Sequence, residues 1–222
     1  MTADRHMWLA ILCASILAVS ATRAGAQCSA RDVMRGHPNF APALSAADPP
    51  IMIGSVADIP IWRTIKIGTS VNKYDLLRRL DAADCSVGTS AEALFLQRGF
   101  TVSSESTNLD LAVVYPAQLG LRTDTATLAE IYARALDVGL ALPGPEVGPQ
   151  LRLQYFDQPI GEFLNIAMAP ITPAGEQYDI FVVGNGGAGL FLIGESVRTD
   201  TEFDRSSRFV FVRPVAVAAI SR

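Results

Sequence analysis

The sequence predicts an α+β domain, with helices mainly in the first half of the chain and a mainly antiparallel β-sheet in the second. Two observations predict it. Apolar stripes at helical spacing gather between residues 72 and 139, and beyond them short alternating or wholly apolar runs are separated by Gly and Pro. No internal repeat divides the chain.

The elements follow in order. Residues 61–67 alternate, Ile61, Arg63, Ile65 and Ile67 facing one way and Trp62, Thr64 and Lys66 the other, which predicts a strand. Asn72 ahead of Asp75 is a helix start, and Leu76, Leu77 and Leu80 make a stripe reaching about Ala83. A second short helix fits 90–98, with Gly99 able to close it in the left-handed conformation. Residues 109–115 predict a strand stopped by Pro116. Thr127 and Glu130 have the spacing of a capping box. Leu128, Ile131, Tyr132 and Ala135 share one face behind it, and Gly139 ends the helix. Leu151, Leu153 and Tyr155 then alternate with Arg152 and Gln154, which predicts another strand, followed by an apolar strand over 163–169. Residues 178–183 and 190–193 flank Asn185-Gly186-Gly187 as a hairpin, and 209–212 supply the last strand before Pro214.

The first 26 residues read as a secretory signal peptide: Arg5 and His6, an apolar run over 7–19 broken only by Ser15, then Ala24-Gly25-Ala26 as a small-x-small cleavage site. That run is shorter than the roughly 20 apolar residues a membrane span requires. The expected mature chain starts at Gln27 and carries no integral membrane segment. A lipid anchor on Cys28 is disfavoured by the bulky polar Gln27. Residues 27–60 hold Pro38, Pro42, Pro49, Pro50 and Pro60 and predict an extended arm or linker; 61–214 form the single domain, and 215–222 a C-terminal tail. The expected location is the periplasm or the exterior.

Composition excludes whole classes of function. The leader removes two of 18 basic residues and one of 22 acidic ones, leaving a net charge of −5 with only Lys66 and Lys73 as lysines. Such a chain has no charge basis for binding nucleic acid or anionic lipid. His37, in the arm, is the one histidine left, so Ser-His-Asp and Cys-His catalysis and multi-histidine zinc sites are outside its means. No cofactor or metal is expected. Cys28 and Cys85 remain as an even pair in an oxidising compartment, which predicts one disulfide. Their spacing is not that of a C-x-x-C redox pair.

Residues 143–162, P-G-P-E-V-G-P-Q-L-R-L-Q-Y-F-D-Q-P-I-G-E, are the densest run of unusual chemistry. The expected strand sends Arg152 and Gln154 to the face opposite Leu151, Leu153 and Tyr155. The turn 157–161 would set Asp157 and Glu162 at one edge, with Glu146 joining from the preceding turn. Three readings follow: a solvated structural face on which Arg152 meets Asp157, Glu162 or a carbonyl; a small-molecule or glycan groove using Arg152, Gln154 and Tyr155; or acid–base catalysis by Glu146, Asp157 and Glu162. Together with T-I-K-I-G-T at 64–69, I-Y-A-R-A at 131–135 and F-V-F-V-R-P at 209–214, this segment resembles an uncharacterised bacterial α+β domain family. The resemblance spans most of 61–214 and implies no activity.

Other features are weaker. The glycine-rich run 184–189 lies between strands, lacks a phosphate-loop lysine and opens no helix. Asp200, Glu202 and Asp204 offer oxygen ligands without calcium-loop spacing. Trp62 is a core residue by expectation. The functional expectation is an exported binding or envelope-associated module without catalysis. Its alternative is a histidine-independent, glycan-directed hydrolase with paired carboxylates. The sequence does not address oligomeric state.

Overall fold

The computed structural model describes residues 52–171 and 177–214. The leader, Cys28, His37, most of the proline-rich arm and the tail 215–222 lie outside them. Residues 52–60, assigned to the arm by sequence, pack on the domain: Ile53 and Ile59 are buried, and the Ile53 amide donates to the Gln118 carbonyl at 3.0 Å.

The α+β class holds. Strand β1 (Arg63–Ile67) is followed by α1 (Lys73–Ala82), β2 (Ser86–Val87), α2 (Thr89–Leu96), β3 (Thr107–Val114), β4 (Thr125–Thr127), α3 (Leu128–Asp137) and α4 (Val147–Arg152). Strands β5 (Phe163–Ile166), β6 (Gln177–Asn185), β7 (Leu190–Arg198), β8 (Glu202–Asp204) and β9 (Phe209–Val212) complete it. Among the described residues the main sheet has seven strands in the order β1-β3-β9-β5-β6-β7-β2, and β4 with β8 makes a separate ribbon. Most neighbours are antiparallel, but β5 with β9 and β2 with β7 are parallel, so the sheet is mixed. Helices fall on both sides of the chain's midpoint, as do strands.

Local chemistry explains the elements. The Asn72 side chain accepts from the Tyr74 and Asp75 amides and caps α1, whose Leu76 and Leu80 are fully buried. Thr127 and Glu130 form the reciprocal capping box of α3, which buries Leu128, Ile131, Tyr132 and Ala135. Gly139, at φ +95°, ends that helix. One expectation is corrected. Helix α2 stops at Leu96 with Gln97 as its cap, and Gly99 is not left-handed; it is glycine because a Cβ there would stand 1.9 Å from the Ile171 carbonyl oxygen.

Both faces of the sheet are covered. Phe181 of β6 packs with Phe95 of α2 and with Phe100, while Tyr132 of α3 meets Tyr178 and Phe211 edge-on from the other side. Helix α4 touches β1 at one edge of the sheet and β6 and β7 near the other, so the sheet curls around it. No helix among the described residues is long and apolar enough to cross a membrane.

Candidate functional site

The strand expected at 151–155 does not form; α4 and the turn after it occupy that stretch. Pro149 sits in the first turn, where its missing amide hydrogen has no intrahelical partner to lose. Gly148 seats the helix on β6, since a Cβ there would lie 2.7 Å from the Cβ of Phe181. All six residues of α4 are buried. The alternation of Leu and polar residues therefore does not separate core from solvent. It separates apolar packing from buried hydrogen bonding.

Spaced four apart, Glu146, Gln150 and Gln154 bind α4 to β1 and the turn after it. The Gly68 amide donates to Glu146 Oε2 at 3.1 Å and the Ser103 amide to Oε1 at 2.8 Å, with the Ser103 hydroxyl on the same oxygen. Gly68 is left-handed, at φ +64°, and a Cβ would collide with the Glu105 carbonyl, so glycine is required to aim that amide. Gln150 donates to Thr69 Oγ1 at 3.0 Å, and Arg79 donates to the same oxygen at 2.8 Å. Gln154 accepts from the Lys66 amide and donates to the Lys66 carbonyl, each at 2.9 Å, so that its amide takes the place of a neighbouring strand along the edge of β1.

Arg152 has no solvent exposure. Its Nη1 donates to Gln158 Oε1 and, at 3.2 Å, to the Gly184 carbonyl; Nη2 donates to the Tyr155 carbonyl. Among the described residues its Nε has no hydrogen-bond partner and it forms no ion pair, although the Glu162 carboxylate acts on it electrostatically. Burial pulls the guanidinium below its ordinary pKa, opposed first by the neighbouring Cys85 and then by Tyr155. Gln158 passes the connection on to the Val183 and Glu162 carbonyls at 3.1 and 3.2 Å. Arg152 and Gln158 thus hold the turn 155–162 against β6.

Above this support lies a second network. The Tyr155 hydroxyl donates to Glu162 Oε2 at 2.6 Å, and Glu162 Oε1 is paired with Arg208. The Tyr155 ring meets Trp62 edge-on at 5.2 Å and carries the Arg63 guanidinium 4.2 Å from its centroid. Arg63 in turn pairs with Asp157 at 3.1 Å. Burial, then the bond to Glu162, pushes the Tyr155 phenol well above its usual range. Close in the chain to Arg63 or Asp157, three large apolar side chains face solvent: Ile61 (48% exposed), Phe156 (56%) and Ile160 (77%). Ile160 also lies within contact distance of the glycine-rich tip at Gly187.

The structure therefore brings Asp157, Glu162 and Tyr155 into one network, ties Glu146 and Gln154 into another, and encloses Arg152 beneath. Sequence reading missed Trp62, Arg63, Gln158 and Arg208 as members. Arg63 did leave a signal, as a cation on the same predicted strand face as Ile61, Ile65 and Ile67. The acidic run divides: Asp200 pairs with Arg198 at 3.0 Å, Glu202 accepts from Thr125, and Asp204 caps Ser206, whose hydroxyl and amide lower its pKa. No group of three or more His, Cys, Asp or Glu placed to hold a metal occurs among the described residues. The run 184–189 ends β6 with Gly184 and Asn185 and makes the hairpin tip before β7 with 186–189. No protein-family model, curated protein or solved structure matches this chain.

Proposed function

We propose that this is an exported, non-catalytic binding module whose contact face is built from Ile61, Arg63, Phe156, Asp157 and Ile160. The observation that carries the proposal is the turn 156–160, which is fastened from below by a buried arginine yet presents Phe156 and Ile160 to water. Ordering such a turn while leaving its apolar side chains uncovered is what a prepared contact surface requires. An apolar platform beside a charged pair suits a small polar ring compound such as a glycan, with Phe156 stacking on it and Asp157 and Arg63 taking its hydroxyl groups.

The alternative, hydrolysis by paired carboxylates, asks two of Glu146, Asp157 and Glu162 to share a substrate. Each has other engagements: Glu146 accepts from Gly68 and Ser103, Glu162 from Tyr155 and Arg208, and Asp157 from Arg63. The test is glycan-array binding and glycan hydrolysis by wild type, Phe156→Ala, Asp157→Asn and Glu162→Gln. A binding module loses affinity at least tenfold in Phe156→Ala and releases no sugar in any variant. Turnover by wild type that Asp157→Asn or Glu162→Gln abolishes establishes the hydrolase instead.

A further inference from the structure

Asn185 is the last paired residue of β6, opposite Leu190, and the turn 157–162 is fastened to it. Its backbone carbonyl accepts from the Gly161 amide at 2.7 Å, its amide donates to the Glu162 carbonyl at 3.1 Å, and its side-chain Nδ2 donates to the Gln158 carbonyl at 2.8 Å. The other side-chain atom, Oδ1, accepts from the Gly187 amide at 3.1 Å. The chain has five asparagines. Asn39, Asn72, Asn108 and Asn165 are followed by Phe, Lys, Leu and Ile, whereas Asn185 is followed by Gly186. A residue with a side chain shields its own backbone nitrogen from the asparagine before it, and glycine does not. The peptide that has to rotate for the Gly186 nitrogen to meet Asn185 Cγ opens the hairpin tip 186–189, three glycines and an alanine, of which 187–189 are exposed. The Gly187 amide sits on Oδ1, where negative charge develops when a nucleophile adds to Cγ, as an oxyanion-hole donor does.

We propose that Asn185 is a self-modification site, and that its conversion to aspartate or isoaspartate unfastens the turn 157–162 from β6. The Gly186 nitrogen, its proton passed to solvent base, attacks Asn185 Cγ. The new C–N bond closes a succinimide ring, and Nδ2 takes a proton from solvent and leaves as ammonia. Water then opens the ring. Cleavage of the bond from Cγ to the Gly186 nitrogen gives aspartate; cleavage of the bond from the Asn185 backbone carbonyl carbon to that nitrogen gives isoaspartate, with the main chain running through the former side chain. Water is consumed, ammonia is released, and no atom changes oxidation state. Either product undoes the fastening. Aspartate sets a carboxylate, an acceptor only, against the Gln158 carbonyl where a donor stood. Isoaspartate adds a methylene to the backbone at the residue that holds Gly161 and Glu162, and shifts both bonds. Gln158 still reaches the Val183 carbonyl through Nε2, so the turn loosens while the domain stays folded. Ile160 belongs to that turn, so the modification disables the contact face; this consequence rests on the reading of 156–160 given above, whereas the chemistry does not.

The test incubates the full chain at mildly alkaline pH, maps its peptides by mass spectrometry and labels isoaspartate with an isoaspartyl methyltransferase. The expected result is the mass gain of NH2 replaced by OH at Asn185, at least about tenfold faster than at any of the other four asparagines. Gly186 is not left-handed, so alanine can take its backbone conformation, and Gly186→Ala should slow the reaction by about tenfold. Asn185→Asp stands for the aspartate product. In it the Gly161 amide should exchange with solvent at least about tenfold faster than in wild type, while the amides of α3 exchange at the wild-type rate. Conversion at Asn185 no faster than at the other asparagines, or a rate untouched by Gly186→Ala, would overturn the modification site. Unchanged exchange at Gly161 would overturn the release of the turn. None of these readouts uses a ligand, so they stand or fall apart from the glycan assays that test the contact face.

Discussion

Helices α3 and α4 stand ten residues apart and were built on opposite principles. Helix α3 has a capping box, a four-residue apolar stripe and a glycine stop, and it lies on the sheet with one face in water. Helix α4 has no side-chain cap and no exposed face, and its polar residues are as deeply buried as its apolar ones. The first is held by its own sequence plus one hydrophobic face. The second is held by its surroundings: Phe181 beneath Gly148, the β1 backbone against Gln154, and carbonyl groups around Arg152. Local signals therefore specify an element that carries its own instructions, and they mislead where tertiary hydrogen bonds supply them.

That contrast can be broken by mutation, most severely at Arg152. Arg152→Ala leaves the Tyr155 and Gly184 carbonyls and Gln158 without their donor in a dry site, and is expected to cost about 3–5 kcal/mol by denaturant unfolding. A cost under about 1 kcal/mol, the range of a surface ion pair, would show that α4 does not rely on it. Gly148→Ala comes next: overpacking against Phe181 is expected to cost about 1–3 kcal/mol, whereas helix propensity alone would make the change favourable by up to about 1 kcal/mol. The sign of the measured change decides between surroundings and propensity. In α3, Thr127→Ala should cost about 1 kcal/mol through loss of the cap, and little else in the fold should respond. Asp157→Asn, on the exposed pair with Arg63, should fall within about 0–1 kcal/mol by the same unfolding measurement.

A last and smaller effect lies in pH. Burial alone pushes the Glu195 carboxyl above its ordinary value, so the folded state holds the proton more tightly than the unfolded chain does. Its contribution to stability is complete below the unfolded pKa of about 4.3 and is lost as pH rises through the folded value. Glu195→Gln should accordingly raise the thermal midpoint relative to wild type near neutral pH and give no gain near pH 4. An equal gain at both would assign the effect to packing rather than charge.

The same division accounts for what the sequence made legible. Asn72, Thr127–Glu130, Gly139 and the 185–189 hairpin were readable because each acts within a few residues of itself. Strands β3 and β9 were readable from apolar runs closed by proline. The parallel pairings of β5 with β9 and β2 with β7 join residues tens of positions apart, and nothing local encodes them. At the candidate site, Asp157, Glu162 and Tyr155 were found by chemical type. Their partners Arg63, on β1, and Arg208, in the loop before β9, came from distant parts of the chain, and Arg152 was misplaced because a polar residue in an alternating run was read as facing water. Its burial depends on carbonyl acceptors supplied by Tyr155 and by Gly184 of β6.

One side chain bears on how this domain behaves in a crowd. An open sheet edge invites other strands to add to it, and natural proteins guard such edges. Along β1 the guard at Lys66 is the single carboxamide of Gln154, which mimics a neighbouring strand with one donor and one acceptor. A strand arriving at this edge has to displace that amide, and it would meet Arg63 and Asp157 alongside. Gln154→Ala removes the guard together with its bond to the Gln150 carbonyl, converting a closed margin into an adhesive one, and the expected sign is concentration-dependent self-association of a folded protein.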